Sequence, residues 1–151
     1  MRKISKIIIH CAATPPEMDI GAAEIRGWHT KDNGWADIGY HFVIRRSGKV
    51  EDGRPTDRQG AHCAAKSGNV ASIGICLVGG VRREGGKLIA ENNFTDRQWV
   101  ALRKLVQDLT TRFTEINTIL GHRDLDPGKA CPSFSVRDWL IRERIREITW
   151  A

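Results

Sequence analysis

The sequence has no apolar run near the roughly 18 to 20 residues that a membrane-crossing helix needs, so no membrane span is expected. Cysteine is scarce. The four thiols, Cys11, Cys63, Cys76 and Cys131, have neither close-paired nor regular spacing, which argues against a disulfide framework and makes reduced thiols the default. Prolines number five in 151 residues, and there are no repeats or low-complexity tracts, so collagen-like and disordered chains are excluded. No long block of one charge sign occurs either. Lysine and arginine outnumber aspartate and glutamate by 24 to 18, giving +6 and a pI near 9.5, which suits polyanionic surroundings such as nucleic acid, anionic cell wall or acidic partners. That charge is spread along the chain. Its densest run, Arg137, Arg142, Arg144 and Arg146, alternates with Asp138, Glu143 and Glu147 as on a solvated helix face, and a nucleic-acid role is not expected. A signal peptide is not expected either. The opening residues are positive, but the apolar stretch behind them is broken by Lys6 and ends at His10, so it reads as a first strand. The expectation is synthesis in the cytoplasm, with any extracytoplasmic substrate reached by another route.

What is present is an ordinary globular composition, 40% hydrophobic and 28% charged, at a length that fits one domain over residues 1–151. Ile4 to Ala12 is a compact β-branched run closed by Thr14-Pro15-Pro16, the pattern of a buried strand. Gly21 to Lys31 carries Ala22, Ile25, Trp28 and His29 at helical spacing and predicts a short amphipathic helix. Ile38 to Arg46 predicts a second strand, with Ser47-Gly48 as a tight turn and Lys49 to Glu51 returning as a hairpin partner. Ala71 to Val78 is almost wholly apolar, which predicts a strand covered on both faces. Thr95 and Gln98 form a capping box ahead of a long helix marked by Trp99, Leu102, Val106, Leu109 and Phe113. Ile116 to Leu120 predicts a further strand, and Ser135 with Asp138 caps a last helix from Val136 to about Ile148. Strands and helices alternate, so the fold class is α/β, one sheet with helices on each side.

Open α/β sheets place their chemistry at strand ends and in the loops beyond them. Three residues there are candidate metal ligands: His10 ending the first strand, His122 just after the last one, and Cys131 in the loop that follows. Imidazole nitrogen and thiolate sulfur both suit zinc, and three protein ligands leave a fourth position for water. Taken singly, each histidine is more readily a structural or surface residue than a ligand. Only neighbouring strands could bring His10 and His122 together.

Seven collinear segments carry a resemblance. They are Ile8-Ile-His-Cys-Ala-Ala-Thr14; Arg26-Gly-Trp-His29 with Gly34-Trp35; Asp37-Ile-Gly-Tyr-His-Phe-Val-Ile44; Gly60-Ala-His62; Ser72-Ile-Gly-Ile75 with Val78-Gly-Gly80; Gly121-His-Arg-Asp124; and Lys129-Ala-Cys-Pro-Ser-Phe134. Together they resemble the zinc-dependent N-acetylmuramoyl-L-alanine amidases of the phage-lysozyme and peptidoglycan-recognition-protein type, above all the small phage lysozymes that are chemically amidases. The resemblance implies a central mixed β-sheet flanked by helices and one zinc ion per chain, held by His10, His122 and Cys131. It also implies two catalytic helpers, Tyr40 and Lys129, although the stretch between His122 and Cys131 is one residue longer than in those phage relatives. Trp35 and His62 fall beside the implied substrate groove. The implied reaction is hydrolysis of the lactyl amide between N-acetylmuramic acid and L-alanine in peptidoglycan. Zinc would bring the pKa of bound water towards about 7, Lys129 would stabilise the tetrahedral oxyanion, and Tyr40 would orient water or relay its proton.

Other readings of the same residues are plainer. Tyr40 shares strand parity with Phe42 and Ile44 and by pattern alone is a core residue, Lys129 is an exposed loop lysine, and His29, His41 and Asp124 are packed or bracing side chains. Cys11 beside His10 is a weak nucleophile pair, because strand neighbours face opposite ways. At the level of function, a phage or prophage endolysin competes with a cytoplasmic muropeptide-recycling amidase. A non-catalytic peptidoglycan receptor is disfavoured by Cys131, and an inhibitor of phage RNA polymerase by the few residues ahead of the first strand.

Overall fold

The computed structural model describes residues 2–145. Its main sheet holds β1 (Lys6–Cys11), β2 (Phe42–Ile44), β3 (Val50–Asp52), β4 (Ser72–Leu77) and β7 (Thr118–Gly121) in the order β3-β2-β4-β1-β7. β1 runs parallel to β4 and β7, β2 parallel to β4, and β3 antiparallel to β2. The sheet is therefore mixed, as expected, with β1 near its centre.

Strand parity divides the core in two. Ile7, Ile9 and Cys11 of β1, with Ile73, Ile75 and Leu77 of β4, face α2 (Asp96–Arg112) and α4 (Val136–Arg142), whose Leu102, Val106, Trp139 and Leu140 pack against them. Val43 and Cys76 face the opposite side, where Ala22 and Ile25 of α1 (Ala22–Gly27) close a smaller cluster with Ile38 and Val78. His10 shares that side with Cys76, its register partner in β4. The apolar character of Ile7, Ile8 and Ile9 follows directly, since none has any exposed surface.

The capping box at α2 forms as predicted: Thr95 Oγ1 accepts from Gln98 N at 3.1 Å, and Gln98 Oε1 accepts from Thr95 N at 3.0 Å. Gln98 is wholly buried, and its Nε2 donates to Ile44 O and Val78 O, so one side chain joins the helix start to the ends of β2 and β4.

Elsewhere the elements are shorter than the pattern predicts. The first helix gives way at Trp28–Asp32 to a π-helical segment, with Asn33 N donating to Trp28 O. The second strand begins only at Phe42, because residues before it bond to side chains: Ile38 N donates to Asp37 Oδ1 and Gly39 N to His29 Nδ1. The last helix ends at Arg142, short of the predicted Ile148, and Arg144 at φ +54° turns the chain away; residues 146–148 of the predicted helix lie outside the described residues. The pattern did not predict the separate hairpin of β5 (Val81–Glu84) and β6 (Lys87–Ala90). Its sequence signal was there: Gly85 and Gly86, at φ +54° and +77°, supply the two left-handed residues of a tight turn.

Candidate active site

β1 and β7 are adjacent and parallel, with Ile9 opposite Gly121, so the next residues, His10 and His122, emerge side by side with ring centroids 4.8 Å apart. His122 opens a single turn, α3 (His122–Leu125), whose start is braced by Asp124 Oδ2 accepting from Gly121 N at 2.8 Å. That is the bracing role expected of Asp124. The loop then folds back. Asp126 N donates to His122 O, Lys129 N to Asp126 O and Arg123 N to Cys131 O, which returns Cys131 to the end of β1. There Cys11 N donates to Cys131 Sγ at 3.3 Å, and Cys131 Sγ lies 3.7 Å from His10 Nδ1. Donor atoms of His10, His122 and Cys131 all lie within 4.8 Å of one another. Zinc bonds of about 2.0–2.3 Å ask for donors of this kind gathered around one point.

Tyr40 flanks this cluster, its ring centroid 5.2 Å from that of His10. It does not share the face of Phe42 and Ile44. It precedes the strand, so parity does not reach it, and it packs with the Ile25 and Cys76 cluster instead. Tyr40 continues outward to His29 at 5.6 Å, and His29 to Trp35 at 4.7 Å, so an aromatic wall leads from His10 to the 38% exposed Trp35. Lys129 is exposed on the loop two residues from Cys131. His62 is different: it is buried, with Nδ1 2.8 Å from His10 Nε2 and Nε2 3.3 Å from Ser72 Oγ. Both of its ring nitrogens are thus engaged inside the protein, on the side of His10 away from Cys131.

A profile of the N-acetylmuramoyl-L-alanine amidase family matches residues 1–134. The chain is 46% identical over 138 residues to an endolysin of Klebsiella phage KP32, covering 91% of this chain and 86% of that protein. It is likewise 46% identical over 133 residues to an endolysin of Escherichia phage T7, covering 88% and 83%. The chain belongs to the N-acetylmuramoyl-L-alanine amidase family. Its fold is also that of the amidase LysC from Clostridium intestinale, with a TM-score of 0.75 over 95% of this chain and 87% of that one at 25% identity. Family, mixed α/β fold and amidase activity thus agree with the reading of the sequence.

In this amidase the donor set fits a zinc ion. Burial, then the neighbouring His62 and His122, hold His10 well below the usual imidazole range, and burial lowers His122 too, so both rings are neutral with free lone pairs. A hydrogen bond with the Cys11 thiol, together with burial, pushes the Cys131 thiol up, and a divalent cation held here would supply the charge that favours its thiolate. Burial and the thiols of Cys76, Cys131 and Cys11 raise Tyr40 well above its ordinary value, so its hydroxyl is a donor at neutral pH. Lys129 lies within Coulombic reach of His122 and adds to the lowering there.

Four residues near the site carried no signal when taken alone: His29, Ser72, Gly60 and Gly74. A Cβ on Gly74 would lie 2.5 Å from His62 Cδ2, and one on Gly60 2.7 Å from the same atom. The glycines of Gly60-Ala-His62 and Ser72-Ile-Gly74 therefore make room for one imidazole.

Proposed function

We propose that this amidase is a zinc-dependent endolysin, with His10, His122 and Cys131 holding one ion and Tyr40 and Lys129 acting on the scissile amide of peptidoglycan. The observation that carries the reading is the convergence of two imidazoles and one thiol from three chain segments onto a point flanked by Tyr40. Zinc held there would lower the pKa of a coordinated water towards about 7 and polarise a carbonyl. The chain's own residues do the rest. Lys129, on a loop fixed by its own backbone bond to Asp126, offers positive charge to the oxygen that becomes an oxyanion as water adds to the lactyl carbonyl. Tyr40 donates its hydroxyl to the same oxygen or to the departing nitrogen, which takes up a proton as the carbon–nitrogen bond breaks. The products are a lactyl carboxylate and a free alanine amine. The exposed Trp35, at the outer end of the aromatic wall, offers a flat apolar face to the muramyl peptide.

Cys131 favours hydrolysis over binding alone, since a receptor needs no thiolate at the ion. Among the described residues no helix is long and apolar enough to cross a membrane. Cell-wall attack after release from the host cytoplasm belongs to the same proposal. The test is digestion of purified peptidoglycan by zinc-loaded and by chelated protein, counting new amino termini against new reducing sugar ends. Zinc-dependent alanine termini without sugar ends are expected; sugar ends, or digestion indifferent to chelation, would reject the proposal.

A further inference from the structure

Behind His10, away from Cys131, two side chains and a carbonyl continue in an unbroken line. His10 Nε2 lies 2.8 Å from His62 Nδ1, His62 Nε2 3.3 Å from Ser72 Oγ, and Ser72 Oγ 2.6 Å from Gly68 O. A carbonyl oxygen only accepts, so Ser72 places its single proton on Gly68 O and turns a lone pair to His62. His62 must then carry its proton on Nε2. That leaves His62 Nδ1 as an acceptor, and His10 donates to it from Nε2. The consequence at the far end is a bare His10 Nδ1, the nitrogen that faces Cys131 Sγ at 3.7 Å.

We infer that the line Gly68, Ser72, His62 fixes the tautomer of His10, so that its lone pair faces the zinc position before any ion arrives. His62 is thus a positioning residue for the metal, and this rests on the zinc reading above. The line is rigidly built. Gly74 lets the His62 ring lie directly against β4, since a Cβ there would come within 2.5–2.8 Å of three of its ring atoms. Asn69 Oδ1 accepts from the backbone of His62 at 2.7 Å and of Cys63 at 2.8 Å, fixing where the ring begins. His10 and His62 are 1% and 8% exposed, so water has little access to substitute for a missing partner, and each bond is costly to leave unmade. A ligand imidazole with both tautomers open would present N–H to the ion in part of its population.

The test begins with the metal-free protein, in which long-range proton–nitrogen NMR correlations of the imidazoles report which nitrogen carries the proton. His10 and His62 are both expected as the Nε2–H form near pH 7. His62→Leu removes the acceptor and should weaken zinc binding, measured by chelator competition, by about 10–100-fold. His62→Gln restores an acceptor towards His10 and a donor towards Ser72, and should recover most of that affinity, which a merely space-filling role does not predict. Should His62→Leu fail to fold, Ser72→Ala serves instead, with mixed tautomers at both histidines and weakened zinc binding expected. An Nδ1–H proton on metal-free His10 overturns the inference. So does undiminished zinc affinity in His62→Leu, including the case where only KM changes. Wild-type protein that binds no zinc at all overturns the zinc reading itself, a separate outcome from zinc binding that is indifferent to His62.

Discussion

In the proposed mechanism Tyr40 and Lys129 differ from His10, His122 and Cys131 in that neither would hold the ion, which gives them a distinct experimental signature. Tyr40→Phe keeps the ring that packs 5.2 Å from His10 and removes only the hydroxyl. Lys129→Ala removes an exposed ammonium from a loop that is held by backbone bonds. Each change is expected to lower kcat by about 100- to 1000-fold, the usual cost of removing one group that stabilises an oxyanion, while zinc stoichiometry stays at one per chain. Full turnover in either variant rejects that residue's role; loss of zinc in either would make it a structural support of the ligands instead. At this scale the sequence was legible in residue types more than in roles. His10, His122 and Cys131 stood out because they ended or followed strands. His62 stood out only as a groove residue of the resemblance; its bonds to His10 and Ser72 were not legible, because they join side chains on three separate segments and no local pattern encodes which ring nitrogen meets which atom.

Elements with strong periodicity were legible nearly to their ends: β1, β4 and α2 each had a continuous apolar run or stripe, and α2 its capping box. Where tertiary bonds replaced regular ones, the pattern overreached. β2 shrank to Phe42–Ile44 because Asp37 and His29 took the backbone donors ahead of it, and that loss of regularity is what lets Tyr40 turn towards His10. Gln98 shows the opposite case, a polar residue whose burial no apolar pattern could anticipate. It is fully buried and bonds to Ile44 O at 3.1 Å, Val78 O at 2.8 Å and Thr95 N at 3.0 Å. Gln98→Leu keeps similar bulk but strips these partners, so the cost is that of buried groups left without bonds, about 1–3 kcal/mol. For a chain of this length that corresponds to roughly 2–4 °C in Tm per kcal/mol. Urea unfolding of the metal-free variant measures it, and a midpoint equal to the parent's would mean that water replaces the lost bonds at the helix start.

On the scale of the whole molecule, the buried imidazoles His10, His41 and His62 gather on the side of the sheet away from α2 and α4, and this asymmetry gives the protein an acid weakness. Burial is the main cause that lowers His41 to about 4 and His62 to about 3, and it holds His10 well below its ordinary value. In the unfolded chain each returns to about 6.5. Between about pH 6.5 and 4 the unfolded state therefore binds more protons than the folded one, and stability must fall as the pH falls. Each such histidine contributes a slope of up to about 1.4 kcal/mol per pH unit. Asp37 and Glu24, both held below the carboxylate range, add their share only at still lower pH, so the upper window belongs to the histidines. Under the proposed zinc reading the ion should deepen the dependence, because it would bind the neutral imidazoles of the folded state and add about 2.7 kcal/mol when free zinc is 100 times its Kd. Protons compete for the same nitrogens, so that gain shrinks on acidification. Urea midpoints at pH 7, 6 and 5, with chelator and with zinc, measure both effects. The chelated protein should lose stability steadily over this range and the zinc-loaded protein should lose more. A chelated midpoint that does not move from pH 7 to 5 would mean that the imidazoles on this face accept protons without unfolding, and the packing of His10 against His62 would then not be the closed arrangement on which the site depends.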